Sequence, residues 1–310
     1  MMYDVIIVGG GPAGVTAAIY AARYKLSTLL LSPEIGGWAK KAYKIENLTS
    51  YASILGKELS LRYEEHIKAN DITYKKETVM GIEKSDAGFV VKSTSGLHNA
   101  RFLIYAAGTR KRKLNVPGED KFLGKGVCLC ATCDAPFFKN KRVAVIGGND
   151  SGATSALLVA EYAEKVMLFE IMDSLPCEPI WREKMFASGK IEVVCGDSVS
   201  RIEGDKKVER ILLKSGRMIN VDGVFIEVGS DPNSEMARAI GAETDKWGHI
   251  VVDRSQHTSV DGLYAAGDVT SGSNYMRQIV AAQAEGAIAA QAIYRRMLRE
   301  APNDGLHSKK

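Results

Sequence analysis

The segment Cys128-Leu129-Cys130-Ala131-Thr132-Cys133-Asp134 holds three of the chain's five cysteines in six positions and follows the last with a carboxylate. Cys130 and Cys133 have Cys-x-x-Cys spacing, which closes a small, readily reduced disulfide and lowers a thiol's pKa toward the attacking thiolate. Two chemistries use such a pair: dithiol–disulfide exchange and tetrahedral zinc binding. Structural zinc wants a second pair of ligands, commonly another Cys-x-x-Cys or two nearby histidines. Cys177 and Cys195 lie 18 positions apart and the five histidines are scattered, so no metal site is expected. Those two cysteines read as small buried hydrophobes. Cys128 reads either as a spectator or as a partner in exchange with Cys130.

A redox dithiol needs a carrier to bring it electrons, and the sequence contains two strand–glycine–helix units of the kind that hold dinucleotides. In "YDVIIVGGGPAGVTAAIYAARY" (3–24), Gly9, Gly11 and Gly14 fit G-x-G-x-x-G between an apolar strand and an alanine-rich helix. The first glycine makes the turn, the second admits a pyrophosphate to the backbone, and the third packs helix on strand. The phosphate charge then faces the helix N-terminus. The next strand, "STLLL", ends at Ser32 with Glu34 beyond, in place of the usual ribose-binding acid.

The stretch 141–170 repeats the pattern, with a strand at 142–146, a helix to about 163 and a strand at 166–170. Here Gly147 and Gly152 remain, but Asn149 takes the middle position, where a side chain crowds the pyrophosphate. "VDGVFIEVGSDPN" (221–233) closes this second unit. "TSVDGLYAAGDVTSG" (258–272) returns to the first and sets Asp268 at a strand's carboxyl end, where α/β sheets bind ligands. An alanine-rich helix is expected from about Tyr275 to Arg299. The expected fold is α/β, with two Rossmann-like three-layer domains, the second inserted in the first. Residues 1–113 and 245–310 form one domain and 114–244 the other.

Composition narrows the function classes. A chain of 310 residues accommodates two domains, and 45% hydrophobic with 25% charged residues is that of a soluble globular protein. A net charge of +4 with 7% aromatic residues gives no reason to expect nucleic acid. No run reaches the roughly 18 apolar residues of a membrane span. The chain enters its first strand without a signal peptide's basic start, so a cytoplasmic location is expected. In that compartment Cys-x-x-Cys is catalytic or metal-binding more often than structural. The run Arg110-Lys111-Arg112-Lys113 reads as a solvated connector, or more sharply as a docking spot for an acidic redox partner.

Gly9–Gly14, "LIYAAGT" (103–109), "CATCD" (130–134) and "GLYAAGDV" (262–269) followed by "RQI" (277–279) together resemble the low-molecular-weight thioredoxin reductases, in order and at that family's spacing. The resemblance implies FAD in the first domain, a nicotinamide cofactor in the second, and a homodimer. It also implies a second domain that rotates to present its disulfide alternately to flavin and to protein substrate. Carried over by position, Gly9, Gly11 and Gly14 hold the FAD pyrophosphate and Asp268 its ribityl or phosphate region. Pro12, Ala13, Ser32, Gly37, Trp38, Ala107, Gly108, Gly267 and Arg277 complete the FAD-binding set. Asn47 is expected near the isoalloxazine ring. Gln278 and Ile279 begin a helix whose N–H groups can stabilise charge on a reduced flavin. Asn47 and Gln278 also read as ordinary loop caps, and Trp38 either stacks on the flavin or fills core. The resemblance makes Asp134 the general acid that protonates the outgoing thiolate, and Cys133 the flavin-side thiol. The residue-level alternative for Asp134 is a turn former before Ala135-Pro136. Ala135 stands where the family has glycine, which is expected to restrict the turn slightly.

NADPH-using members end the strand after the second glycine turn in "HRR", with a further arginine four residues on. Here Glu170, Ile171 and Met172 replace the first three and Pro176 the last. Charge-assisted hydrogen bonds contribute about 1.5–3 kcal/mol each. Loss of two or three weakens NADPH binding by roughly two to five powers of ten. An acid at that strand end suits an NAD ribose, but Asn149 obstructs the part common to both nucleotides. The expected donor is therefore something other than NADPH, with NADH next. Reduction of thioredoxin requires a donor near or below roughly −270 mV. Reduced ferredoxin, a reduced deazaflavin or a second flavin all qualify. The expected function is an FAD-dependent thioredoxin-disulfide reductase, passing electrons through Cys130/Cys133 to thioredoxin or a similar dithiol protein. The alternatives are an FAD-dependent dithiol oxidase of a small molecule and an NADH-dependent disulfide reductase.

Overall fold

The computed structural model describes residues 2–300, which form two compact units. One contains the residues up to Arg110 together with those from Pro232 onward, and the other is Lys111–Asp231. These divisions fall earlier than the expected 113 and 244. The reason is packing: Ala237 and Ala242 are buried in the first unit's core beside Ile6, Leu29 and Leu103, and Tyr105 donates its hydroxyl to Asn233 O at 2.7 Å.

The first unit is built on a seven-stranded sheet in the order Thr73–Lys75, Thr28–Leu31, Met2–Val8, Gly96–Tyr105, Gly88–Ser93, Val79–Ser85, with Leu263–Ala265 also against Gly96–Tyr105. The strands on either side of Met2–Val8 run parallel to it, in register Ile6 with Leu29 and Leu103. All four residues of "TLLL" are buried, as expected of a parallel strand covered on both faces. On one face the helices Pro12–Arg23 and Ile279–Glu300 pack together through Ala13, Ala17, Ala18, Ala289 and Ala290. Their approach is so close that a Cβ on Gly286 would lie 2.1 Å from Ala13 O. That long helix begins at Ile279, four residues later than expected. Its place before Arg277 is taken by a tight turn, Gly272–Tyr275, with Ser273, Asn274 and Tyr275 all at positive φ.

The second unit has a parallel five-stranded sheet in the order Ile191–Cys195, Lys165–Glu170, Arg142–Ile146, Gly223–Ile226, Val127–Cys128. A small antiparallel sheet, Val199–Glu203, Arg210–Leu213 and Met218–Asn220, accompanies it. The helix Asp150–Tyr162 covers the parallel sheet and packs Ala153, Ala156 and Val159 against Cys128, Ala131, Ala135 and Phe138. The cysteine segment therefore rests directly on this unit's core. No helix among the described residues is long and apolar enough to cross a membrane.

Candidate active site: a redox disulfide and two unlike dinucleotide turns

Cys130 and Cys133 are joined by a disulfide, with Cα atoms 5.3 Å apart. A single helical turn, Ala131–Asp134, holds them: the N–H groups of Cys133 and Asp134 both donate to Cys130 O, at 3.2 and 3.1 Å. Ala131 and Ala135 bury inward, which leaves Cys133 exposed and Cys130 and Asp134 half-buried. Ala135 has φ −51° and ψ −40°, the ordinary right-handed helical region. The expected restriction of the turn is therefore absent. Cys128 ends the adjoining edge strand, buried, with its thiol directed to Gly126 O at 3.9 Å; burial first, and the Asp134 charge after it, raise its pKa. No cluster of three or more potential metal ligands occurs among the described residues.

The two glycine turns share a frame and differ at one position. In the first unit, a Cβ on Gly9 would lie 2.2 Å from Ala106 O, and one on Gly14 would lie 1.9 Å from Gly9 O. Both glycines are required by backbone contact. Gly11, between them, faces open space with no atom within 4 Å of a built Cβ. No side chain caps the helix that starts at Pro12, so its N–H groups are available to an anion.

In the second unit, Gly147 and Gly152 keep the same contacts, at 2.3 Å from Glu227 O and 1.8 Å from Gly147 O. Asn149 caps the helix instead. Its Oδ1 accepts from Gly152 N at 3.0 Å and its Nδ2 donates to Glu227 O at 2.9 Å. Glu170, only 6% exposed, turns inward and accepts from Gly148 N at 2.6 Å and Met172 N at 3.0 Å. The protein's own side chains thus occupy the donors that a pyrophosphate and a ribose would use.

A scan against family models matches residues 3–286 to "Pyridine nucleotide-disulphide oxidoreductase". A thioredoxin reductase of Treponema pallidum is 36% identical over 94% of this chain and 95% of its own length. An alkyl hydroperoxide reductase polypeptide of Pseudomonas aeruginosa is 35% identical over 96% of this chain, which spans 58% of that longer protein. The crystal structure of T. acidophilum thioredoxin reductase superposes with a TM-score of 0.91 at 37% identity, covering 96% of this chain and 99% of that one.

The chain belongs to the pyridine nucleotide-disulphide oxidoreductase family.

It is an oxidoreductase of the thioredoxin reductase type, and membership implies FAD. The first unit fits that group. Around the open Gly11 it gathers Gly37, whose Cβ would lie 3.1 Å from Gly11 Cα, and Gly267, whose Cβ would lie 3.0 Å from Ala13 Cβ. Asp268 follows Gly267, half-buried, with no hydrogen bond to its carboxylate among the described residues. Burial raises its pKa, Arg277 opposes the rise, and Glu285 adds to it. Asn47 and Gln278 meet across 231 positions, Nδ2 donating to Oε1 at 3.0 Å. Trp38 does not fill core: it is 36% exposed, its indole N–H donates to Thr109 O at 2.7 Å, and Lys41 lies over its ring. Ser32 donates its hydroxyl to Glu34 O within the loop, while Glu34 itself pairs with Lys40.

Three supporting residues have no clear signature in the sequence. Asn233 donates its side-chain amide to Ala107 O at 2.9 Å and its backbone N–H to Gly108 O at 3.0 Å, which fixes that turn. Glu285 accepts from Gly267 N and Thr270 Oγ1 at 2.7 and 3.1 Å. A lone acid on a buried face that includes Ala281, Ala282, Gly286 and Ala289 was its available signal. His249 is buried and accepts from Arg277 at 2.5 Å, a pairing that nothing local in the sequence announces.

The basic run is exposed at Arg110, Arg112 and Lys113, as a solvated connector would be, and half-buried at Lys111. Arg110 pairs with Glu235, Lys111 with buried Glu227, Arg112 with Asp231 and Lys113 with Asp120, all at 2.6–2.8 Å. Paired cations present little unbalanced charge to an acidic partner.

Proposed function

We propose that this protein is a flavin-linked reductase of thioredoxin or a similar small dithiol protein, supplied with electrons by a donor other than NADPH. The observation that carries the reading is the bonded Cys130–Cys133 pair, followed by Asp134, in a chain with one open and one self-filled dinucleotide turn. In this reading Gly9, Gly11, Pro12, Ala13 and Gly14 hold the FAD pyrophosphate on the first helix. Asp268 with Gly267 holds the ribityl or phosphate region. Ser32, Gly37, Trp38, Ala107, Gly108 and Arg277 line the site, and Asn47 with Gln278 and Ile279 lies toward the ring system. Bound FAD supplies two electrons at a time to the disulfide.

The chain's residues do the rest. Two electrons open the Cys130–Cys133 bond, and Asp134 delivers a proton to the departing thiolate. One thiolate then attacks the partner's disulfide and forms a mixed disulfide, with the partner's second sulfur leaving. The other thiol resolves it, so the Cys130–Cys133 bond reforms and the partner leaves as a dithiol. With Cys133 exposed and Cys130 half-buried, the pair is accessible to exchange. In the second unit Asn149 and Glu170 take backbone N–H groups that a nicotinamide dinucleotide would use, which supports a donor of another kind. Glu170 would be the acid for an NAD ribose, but its carboxylate already accepts from Gly148 and Met172, which favours ferredoxin, a deazaflavin or a second flavin over NADH. The same reading takes a homodimer in a reducing cytoplasm.

Anaerobic flavin bleaching with NADPH, NADH, reduced ferredoxin and reduced deazaflavin, offered separately, tests the donor. Coupled reduction of thioredoxin, against oxygen uptake with small dithiols, tests the acceptor. Rapid bleaching by NADPH overturns the donor assignment. Oxygen-linked turnover without thioredoxin reduction turns the function to a dithiol oxidase.

A further inference from the structure

Arg277 is half-buried and follows a turn of unusual shape. Ser273, Asn274 and Tyr275 have φ of 47°, 51° and 58° in succession, a left-handed run that residues other than glycine seldom adopt. Asp245 latches that turn, its Oδ2 accepting from the Tyr275 hydroxyl at 2.8 Å. The same carboxylate organises the loop that carries His249. Its Oδ1 accepts from the N–H groups of Trp247 and His249 at 2.8 and 2.9 Å, and His249 Nδ1 lies 3.4 Å from Oδ2. The Tyr275 ring packs edge-on against both Trp247 and His249, with centroids 5.5 Å apart in each pair. His249 is buried by this arrangement, and its other nitrogen, Nε2, lies 2.5 Å from Arg277 Nη2.

A guanidinium donates hydrogen bonds and never accepts them. Nε2 must therefore present its lone pair to Arg277, and the ring proton must sit on Nδ1, toward Asp245. The ring is then neutral. Nε2 can hold Arg277 or a proton, but not both, since a protonated ring would turn a second donor toward a cation. Asp245 would remain as counter-ion to that imidazolium. Burial pushes the Asp245 carboxyl up, but its bonds from Tyr275, His249 and Trp247 outweigh burial and hold it below the usual carboxylate range. The bond to Asp245 raises the Tyr275 pKa, so that phenol stays neutral. Among the described residues, the charged and titratable groups facing the imidazole are Asp245 from its own loop, and Tyr275 and Arg277 from the turn. Lys246 is engaged over the Trp247 ring. Histidine is the side chain whose ordinary charge change falls between about pH 5 and pH 8.

Arg277 in turn acts on the open dinucleotide site. Burial raises the pKa of Asp268 and Arg277 opposes that rise, so the place of the guanidinium is felt at this carboxylate. We propose that Asp245 and neutral His249 position Arg277 at the flavin site, and that a proton taken up by His249 releases Arg277 and loosens FAD. Both are positioning residues, acting through Arg277. Linkage makes the effect reciprocal, so bound FAD keeps His249 neutral. The inference rests on the proposed function only in taking Asp268 and Arg277 as part of the FAD site.

Nitrogen-15 spectra of the histidine rings in the FAD-loaded protein test the tautomer. At pH 8 His249, assigned by the signal lost in His249→Gln, should carry its proton on Nδ1. The release of FAD from the loaded protein, followed by flavin fluorescence after dilution, tests the coupling at pH 8 and pH 5.5. In the unaltered protein, release should be about tenfold faster or more at the lower pH, the usual effect of losing a hydrogen bond to a charged group. His249→Gln offers Arg277 a carbonyl that does not titrate, so its release should be slow and about equal at both pH values. His249→Leu offers no acceptor and should release FAD about tenfold faster at both. A proton on Nε2, a release rate in the unaltered protein that is flat with pH, or an equal rise in His249→Gln overturns the proposal. These measurements decide the matter even if His249→Leu fails to fold. Failure of the FAD-loaded protein to reduce thioredoxin would instead sink the functional reading and leave the tautomer and release results standing.

Discussion

Asn149 Oδ1 lies 3.0 Å from the Gly152 N–H, while no side chain caps the equivalent turn at Gly11 and Gly14. One fold, used twice, thus has an anion cradle left open in one unit and closed by an amide in the other. The helix N-terminus attracts whatever acceptor is nearest, and in the second unit that acceptor is covalently attached.

Asn149→Gly removes the plug and the bond to Glu227 O. Glycine is itself a tolerable N-cap, so the cost is about 1 kcal/mol, mostly the lost amide hydrogen bond. Thermal unfolding should register that loss. NADPH should still bleach the flavin slowly, because Glu170 continues to hold the Gly148 N–H; stopped-flow absorbance checks this.

Gly11 and Gly14 should respond oppositely to enlargement. Gly11 has an ordinary backbone, φ −73°, and open space beside it. Gly11→Val should therefore fold with an unchanged apoprotein melting temperature and purify without FAD. In Gly14→Ala the new Cβ meets Gly9 O, so overpacking should cost about 3 kcal/mol whether or not flavin is present. Flavin content and apoprotein calorimetry separate the two.

Serine at Cys130 or at Cys133 should lower partner reduction by at least about a thousandfold, since residues that act as a unit are lost together. The FAD spectrum should persist. Asp134→Asn should cost about a hundredfold to ten-thousandfold in kcat, the usual share of a positioned acid. Full activity in either cysteine variant would mean that the relay is misassigned.

Asp268 carries a pH signature. Burial raises its pKa in the folded protein above the unfolded value. The folded state therefore binds this proton more tightly than the unfolded one. The corresponding stability is present at low pH and is lost as pH rises from about 4 through the folded pKa. Apoprotein melting followed across that window should show the decline, and Asp268→Asn should flatten it while weakening FAD binding. An unchanged slope in the variant would place the titration elsewhere.

Local sequence carried much of this protein's chemistry. The spacing of Gly9, Gly11 and Gly14, the Cys130–Cys133 pair and the strand 142–146 all depend on neighbours a few residues away, where covalent geometry and helix or strand period decide. Asn149 was legible as an obstruction for the same reason. Its actual work was not, because capping Gly152 and bonding Glu227 O, 78 positions on, require the finished sheet. Asn47 meets Gln278 and Glu285 meets Gly267 only through packing of the long alanine helix. The second boundary fell after Asp231 because Ala237 and Ala242 found their core in the first unit. Residue types and short spacings specified which groups could react. Which groups meet, and which cradle stays open, was decided by contacts between distant segments, whose pairing depends on topology rather than on local pattern.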